Sequence, residues 1–222
     1  MRAIVVIILF IFSSCAKKED QKFTANETKV QKTERTSNFQ KINYSLRYNY
    51  RDSLGKHINP NKNYQYWQYA AYHAGIDGKT KYTVLKQGGD LSLRKKINEK
   101  FNPDYSVGIF QGGHPSFRCN YISIIDNQKI IYLKTFEEFR DFLGTIDNLE
   151  EAMLLAETYG YKLDNDIEGS EYKKVQNGYE LHLAKYNEFP RYKEIVDIVI
   201  NKDGFIKTKS LGISCEGQDC YD

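Results

Sequence analysis

Between residues 41 and 51, Ile42, Tyr44, Leu46, Tyr48 and Tyr50 alternate with Asn43, Ser45, Arg47, Asn49 and Arg51. That period of two predicts a strand with one wet face. The segment Tyr64–Ala74 admits two readings: its aromatic residues favour a strand, while Asn63 and Gly75 stand where they would cap a helix. The strand is preferred, because Asp77-Gly78 then turns the chain into Lys79–Lys86. Asp90 is placed to cap a helix carrying Leu93, Ile97 and Phe101 on one face and stopping before Pro103. Cys119–Asp126 and Lys129–Lys134 predict a hairpin around Asp126-Asn127.

Two helices follow, each with its own start and stop signals. Thr135 and Glu138 form a capping box ahead of Phe136, Phe139 and Leu143, and Gly144 ends the run. Asn148 and Glu151 repeat the device, with Leu149, Ala152, Met153 and Ala156 on one face and Gly160 as the stop. Beyond them, Glu171–Gln176 and Tyr179–Tyr186 flank Asn177-Gly178, a strong hairpin signal, and Ile195–Ile200 and Phe205–Lys209 flank a turn at 201–204. The sum is an α+β domain: a largely antiparallel sheet, two or three helices and a C-terminal β-meander. Strands and helices do not alternate as a parallel nucleotide-binding sheet requires.

Composition sharpens this in two ways. The 18 tyrosines beside 12 phenylalanines suit half-buried strands and contact surfaces, because the ring is apolar and its tip polar. The formal charge is only +3, with Lys and Arg dispersed among Asp and Glu, so no nucleic-acid partner is expected.

The N-terminal pattern differs from the rest. Met1-Arg2 precedes an apolar run from Ala3 to Phe12, then Ser13-Ser14-Cys15. One positive charge, a short apolar stretch and small residues are the pattern of a secretory signal peptide, and the run falls short of the about 20 residues that span a bilayer. Phe12-Ser13-Ser14-Cys15 resembles a lipobox, the cleavage site of bacterial lipoprotein signals, with Phe12 departing from the commoner Leu. The resemblance implies cleavage before Cys15 and lipid on its sulfur, giving a membrane anchor. Ala16-Lys17-Lys18-Glu19-Asp20 resembles a Bacteroidota export signal that implies an outer-membrane, surface-exposed location, with a periplasm-facing position as the alternative. Residues 1–14 are then the signal and 15–40 a lipidated cysteine with a flexible tether rich in Lys, Glu, Thr and Asn. A single domain occupies 41–222.

Candidate chemistry in that domain is sparse. Cys119, Cys215 and Cys220 allow one disulfide. Cys215–Cys220 is favoured because a flexible turn separates them, and Cys119 bonded to either is the rival. Asp164-Asn165-Asp166-Ile167-Glu168-Gly169 opens like a calcium loop, but Val175 stands where the closing acid belongs. His114, in the glycine-bearing 108–118 loop five residues before Cys119, is the candidate for an envelope hydrolase, without a visible partner. No histidine pair has zinc spacing, and no cofactor is expected. Tyr64, Tyr66, Trp67, Tyr69 and Tyr72 form the densest aromatic stretch. If one face is exposed, Trp67, Tyr69 and Tyr72, with His114, are candidates to bind a glycan, peptide or protein; if not, they are core. The expected role is a non-catalytic binding domain at the envelope. An envelope hydrolase and a structural lipoprotein are the alternatives.

Overall fold

The computed structural model describes residues 38–44, 50–74, 80–96, 108–111, 117–164, 170–217 and 220. Cys15, residues 75–79 with the expected turn at Asp77-Gly78, residues 97–107, His114 and residues 165–169 lie outside them.

The fold is α+β, built on two antiparallel sheets, and it ends in a β-meander. The first sheet contains β1 (Gln40–Lys41), β8 (Glu171–Val175), β9 (Gly178–Glu188), β10 (Arg191–Asn201) and β11 (Ile206–Glu216), in that order. The short β7 (Tyr161–Lys162) pairs with β9 beyond the end of β8. The second sheet has the order β3 (Thr80–Gly89), β2 (Tyr66–Ala74), β5 (Phe117–Asp126), β4 (Phe110–Gln111), with β6 (Lys129–Tyr132) also on β5. The helices with described bounds are α1 (Tyr50–Gly55), α2 (Phe136–Leu143) and α3 (Leu149–Thr158); a 3-10 turn at Leu91–Leu93 leads into helical residues 94–96.

One large apolar core draws on both sheets and the helices, with a small second cluster of Tyr66 and Ile125. Trp67, Tyr69, Ile122 and Ile124 come from the second sheet, Leu181, Leu183, Val196 and Ile198 from the first, and Phe139, Phe142 and Ala152–Ala156 from the helices. The burial of α3 runs without a break from Glu151 to Glu157. The single apolar face predicted for it is therefore an understatement: Leu154 and Leu155 are buried as completely as Ala152 and Ala156. A short helix that is apolar nearly all round can be stable only where protein surrounds it.

Local signals explain most element ends. Thr135 accepts from the Glu138 N–H while the Glu138 carboxylate accepts from the Thr135 N–H at 3.1 Å, a complete capping box. Gly144, with φ of 76°, ends α2 in a conformation that penalises a Cβ. At α3 only half the device forms. Asn148 accepts from the Glu151 N–H at 2.8 Å, but the Glu151 carboxylate turns to the backbone N–H groups of Asn59 and Asp147, at 2.7 and 3.0 Å. Asp90 caps the 3-10 turn, accepting from the Ser92 N–H at 3.0 Å.

Three expectations change. The alternating 41–51 segment is not one strand: β1 holds only Gln40 and Lys41, and Tyr50 and Arg51 open α1. The β5–β6 turn is Asn127-Gln128, both at positive φ, one residue later than Asp126-Asn127. The β8–β9 turn is Gln176-Asn177, because Gly178 already pairs with Val175 and with Asn201. A Cβ on Gly178 would lie 1.9 Å from the Ile200 carbonyl oxygen, so glycine there serves the close approach of β9 to β10.

Candidate binding cleft

The aromatic stretch resolves by strand parity. Trp67 and Tyr69 point to the helices, 7% and 0% exposed. Trp67 meets Phe142 edge-on at 5.6 Å between centroids, and the Tyr69 hydroxyl donates to the Arg51 carbonyl at 3.2 Å. The exposed-face expectation is corrected for these two residues. A sheet covered by helices must bury one face, and theirs is that face. Tyr72, half-buried on the other face, packs edge-on against Tyr121 at 6.4 Å.

That other face carries a hydrogen-bonded layer. The Tyr66 hydroxyl bonds to the side-chain oxygens of Gln68 and Gln87 at 2.9 and 2.8 Å, and the Gln68 amide bonds to the Tyr82 hydroxyl. Gln68 is fully buried, so these partners offset its desolvation. Cys119 is a fully buried thiol on the same strand face as Tyr121, a poor place for a nucleophile. Cys215 and Cys220 form the disulfide, and the pairings through Cys119 are set aside.

Several buried and half-buried charged side chains pair with one another. Asp164, first residue of the calcium-like segment, is buried against the Lys193 ammonium at 3.0 Å, and its backbone N–H donates to Ser170 Oγ at 2.7 Å. The rest of that segment lies outside the described residues. The Arg51 guanidinium meets Glu157 at 2.6 Å, and Arg118 pairs with Asp52, which also accepts from Asn120 at 3.0 Å. His182 on β9 faces Asp197 on β10, with 2.9 Å between Nδ1 and Oδ1. Among the described residues no three His, Cys, Asp or Glu side chains are grouped to hold a metal.

A concavity lies beside β1 and β8 of the first sheet. It is a cleft of about 470 Å3 lined by Asn38, Gln40, Leu149, Tyr172, Lys173, Lys174 and Tyr179. That volume is within the range of small-ligand sites, about 300–1,000 Å3. Three separate pieces of chain build it. Tyr172 and Lys174 share one face of β8, and Tyr179 lies directly across from Lys174 on β9. Leu149 supplies the first turn of α3, and Asn38 and Gln40 form the wall beside β8.

The polar groups of the cleft are neutral hydroxyls, amides and ammonium groups. Tyr172 donates to Gln40 Oε1 at 2.7 Å, and Tyr179 donates to the Asp147 carbonyl at 3.3 Å. Burial, helped by the carboxylates of Glu150 and Glu151, pushes the Tyr179 hydroxyl above its ordinary pKa, so it stays a donor at neutral pH. Beside the cleft Tyr44 donates to Glu150 at 2.6 Å, and burial and that bond push its hydroxyl up as well. Among the described residues no carboxylate lies within ion-pair distance of the exposed Lys174, whereas Lys173 is 3.7 Å from Glu180.

None of these lining residues stood out in the sequence. The alternation of Tyr172 and Lys174 marks a strand face, but nothing in a linear pattern brings residues 38–40 and 149 beside it. No protein-family model, curated protein or solved structure matches the chain.

Proposed function

We propose that this chain is an exported bacterial envelope protein, anchored in the outer membrane by lipid on Cys15, whose folded body is a non-catalytic binding domain. The cleft beside β8 is its binding site, for a glycan, peptide or protein. The Cys215–Cys220 disulfide carries the proposal, since such bonds persist in oxidising compartments and are rare in the reducing cytosol. The signal-like run from Ala3 to Phe12 and the lipobox-like Phe12-Ser13-Ser14-Cys15 support the same address. Two or three acyl chains make a stable anchor, because each buried methylene contributes about 0.8 kcal/mol. The chemistry of the cleft supports binding: tyrosine hydroxyls, amides and lysine are groups that hold a ligand.

Intact-mass measurement of protein extracted from its native membrane tests the address. The expected mass begins at Cys15 and carries diacylglycerol. A mass that retains residues 1–14, or a bare Cys15 thiol, overturns it. Protease treatment of whole cells then separates the two leaflets: cleavage without lysis is expected for the surface position, and protection until lysis places the domain in the periplasm.

A further inference from the structure

We propose that the cleft takes a uronic acid unit of a glycan, its carboxylate on the Lys174 ammonium and its neighbouring ring hydroxyls on Tyr172 and Gln40. This rests on the cleft being the binding site, as proposed above, and names its ligand class.

The hydrogen-bond inventory of the side chains carries it. The edge of β8 is already paired with β1, at Gln40–Tyr172 and Lys41–Glu171, so a ligand here is read by side chains and not by a strand ladder. The Tyr172 hydroxyl donates to Gln40 Oε1 at 2.7 Å. That bond uses the single Tyr172 proton and leaves its oxygen an acceptor, while the Gln40 amide nitrogen keeps its N–H donors. An acceptor and a donor are thus held side by side on the cleft wall, with Gln40 exposed and Tyr172 half-buried. Hydroxyls on adjacent carbons of a pyranose present the complement: one donates to Tyr172 Oη and its neighbour accepts from Gln40. Leu149 and the tyrosine rings add apolar surface, which suits the C–H face of the same sugar.

Charge fixes the third contact. Lys174 shares a face of β8 with Tyr172, lies across from Tyr179 and lines the same cleft. Its side chain is exposed, and a carboxylate that reaches it gains a charge-assisted hydrogen bond. The α3 side of the cleft is acidic instead. Glu150, next to Leu149, accepts from Tyr44 at 2.6 Å, and the carboxylates of Glu150 and Glu151 act on the Tyr179 hydroxyl. A single acidic group at the Lys174 side is therefore accommodated, while a doubly charged phosphate is repelled.

The probe is methyl β-D-glucuronide, titrated into the full chain while backbone and side-chain resonances are followed by NMR. Shifts are expected at Lys174, Tyr172 and Gln40. Methyl β-D-glucoside, the same ring without the acid, should bind about tenfold more weakly, because one charge-assisted bond is lost. Lys174→Gln should erase that preference by weakening the glucuronide alone. Tyr172→Phe should weaken both sugars, and Gln40→Ala, at an exposed position, should do the same without touching the core. No shift in the cleft with about 10 mM glucuronide overturns the proposal. Equal affinity for the two sugars overturns it by removing the need for the acid, and acetate binding as tightly as the glucuronide overturns it by removing the need for the ring. Shifts in the cleft with chitotriose or an acidic pentapeptide but not with the glucuronide overturn it too, while leaving the cleft a binding site. Cleft resonances that stay still with every one of these probes bring down the binding-site reading as well.

Discussion

Glu151 shows how one side chain can hold three pieces of chain together. It is fully buried at the start of α3, and its two oxygens take the N–H groups of Asn59 and Asp147. Burial nonetheless outweighs those bonds and raises its pKa above the ordinary 4.5. The folded chain thus binds this proton at a pH where the unfolded chain has released it, so the group's contribution to stability rises as pH falls through that window. Chemical denaturation of wild type and Glu151→Gln between pH 7 and pH 4 should show the difference moving in favour of wild type on acidification. The opposite slope would contradict the raised pKa. Nearer the middle of the core, Trp67→Ala should cost about 3–5 kcal/mol, the range for removing a large buried ring. Tyr69→Phe, which loses only the bond to the Arg51 carbonyl, should cost about 1 kcal/mol. Both are read by urea denaturation, and a near-neutral Trp67→Ala would mean that the ring does not pack as described.

Elements with local punctuation were legible in the sequence. Thr135 with Glu138, Gly144, Asn148 and Gly160 mark helix ends because capping depends on residues within one turn of each other. Elements decided at long range were not. The alternation from Ile42 to Tyr50 meets the pattern of a strand, yet Tyr50 and Arg51 are helical, where Arg51 reaches Glu157 more than a hundred residues away. The cleft belongs to the same class, since Asn38, Leu149 and Tyr172 meet only through the packing of β1 and α3 against β8. The turn at Asn127-Gln128 gives an element-scale test. Its two residues have φ of 46° and 64°, the pattern in which Asn-Gly is favoured, so Gln128→Gly should stabilise the hairpin by about 1 kcal/mol. Thermal melting of the variant checks this, and a lower Tm would show that the Gln128 side chain supports the turn.

For the molecule as a whole, the disulfide closes a loop of only a few residues, with a sequence separation of 5. Its entropic effect is accordingly modest: replacing Cys215 and Cys220 with serine should cost about 2 kcal/mol and leave the fold intact. A larger loss, seen as unfolding at room temperature, would make the bond a condition of folding. The larger determinant is α3, which is buried from Glu151 to Glu157 and belongs to the core cluster that draws on both sheets. Beyond the small cluster of Tyr66 and Ile125, the two layers share one core, so fluorescence of Trp67 in one layer and amide exchange in β10 of the other should report a single shared melting event. An arrangement that opens everywhere or nowhere keeps its strand edges out of the reach of proteases and of other copies.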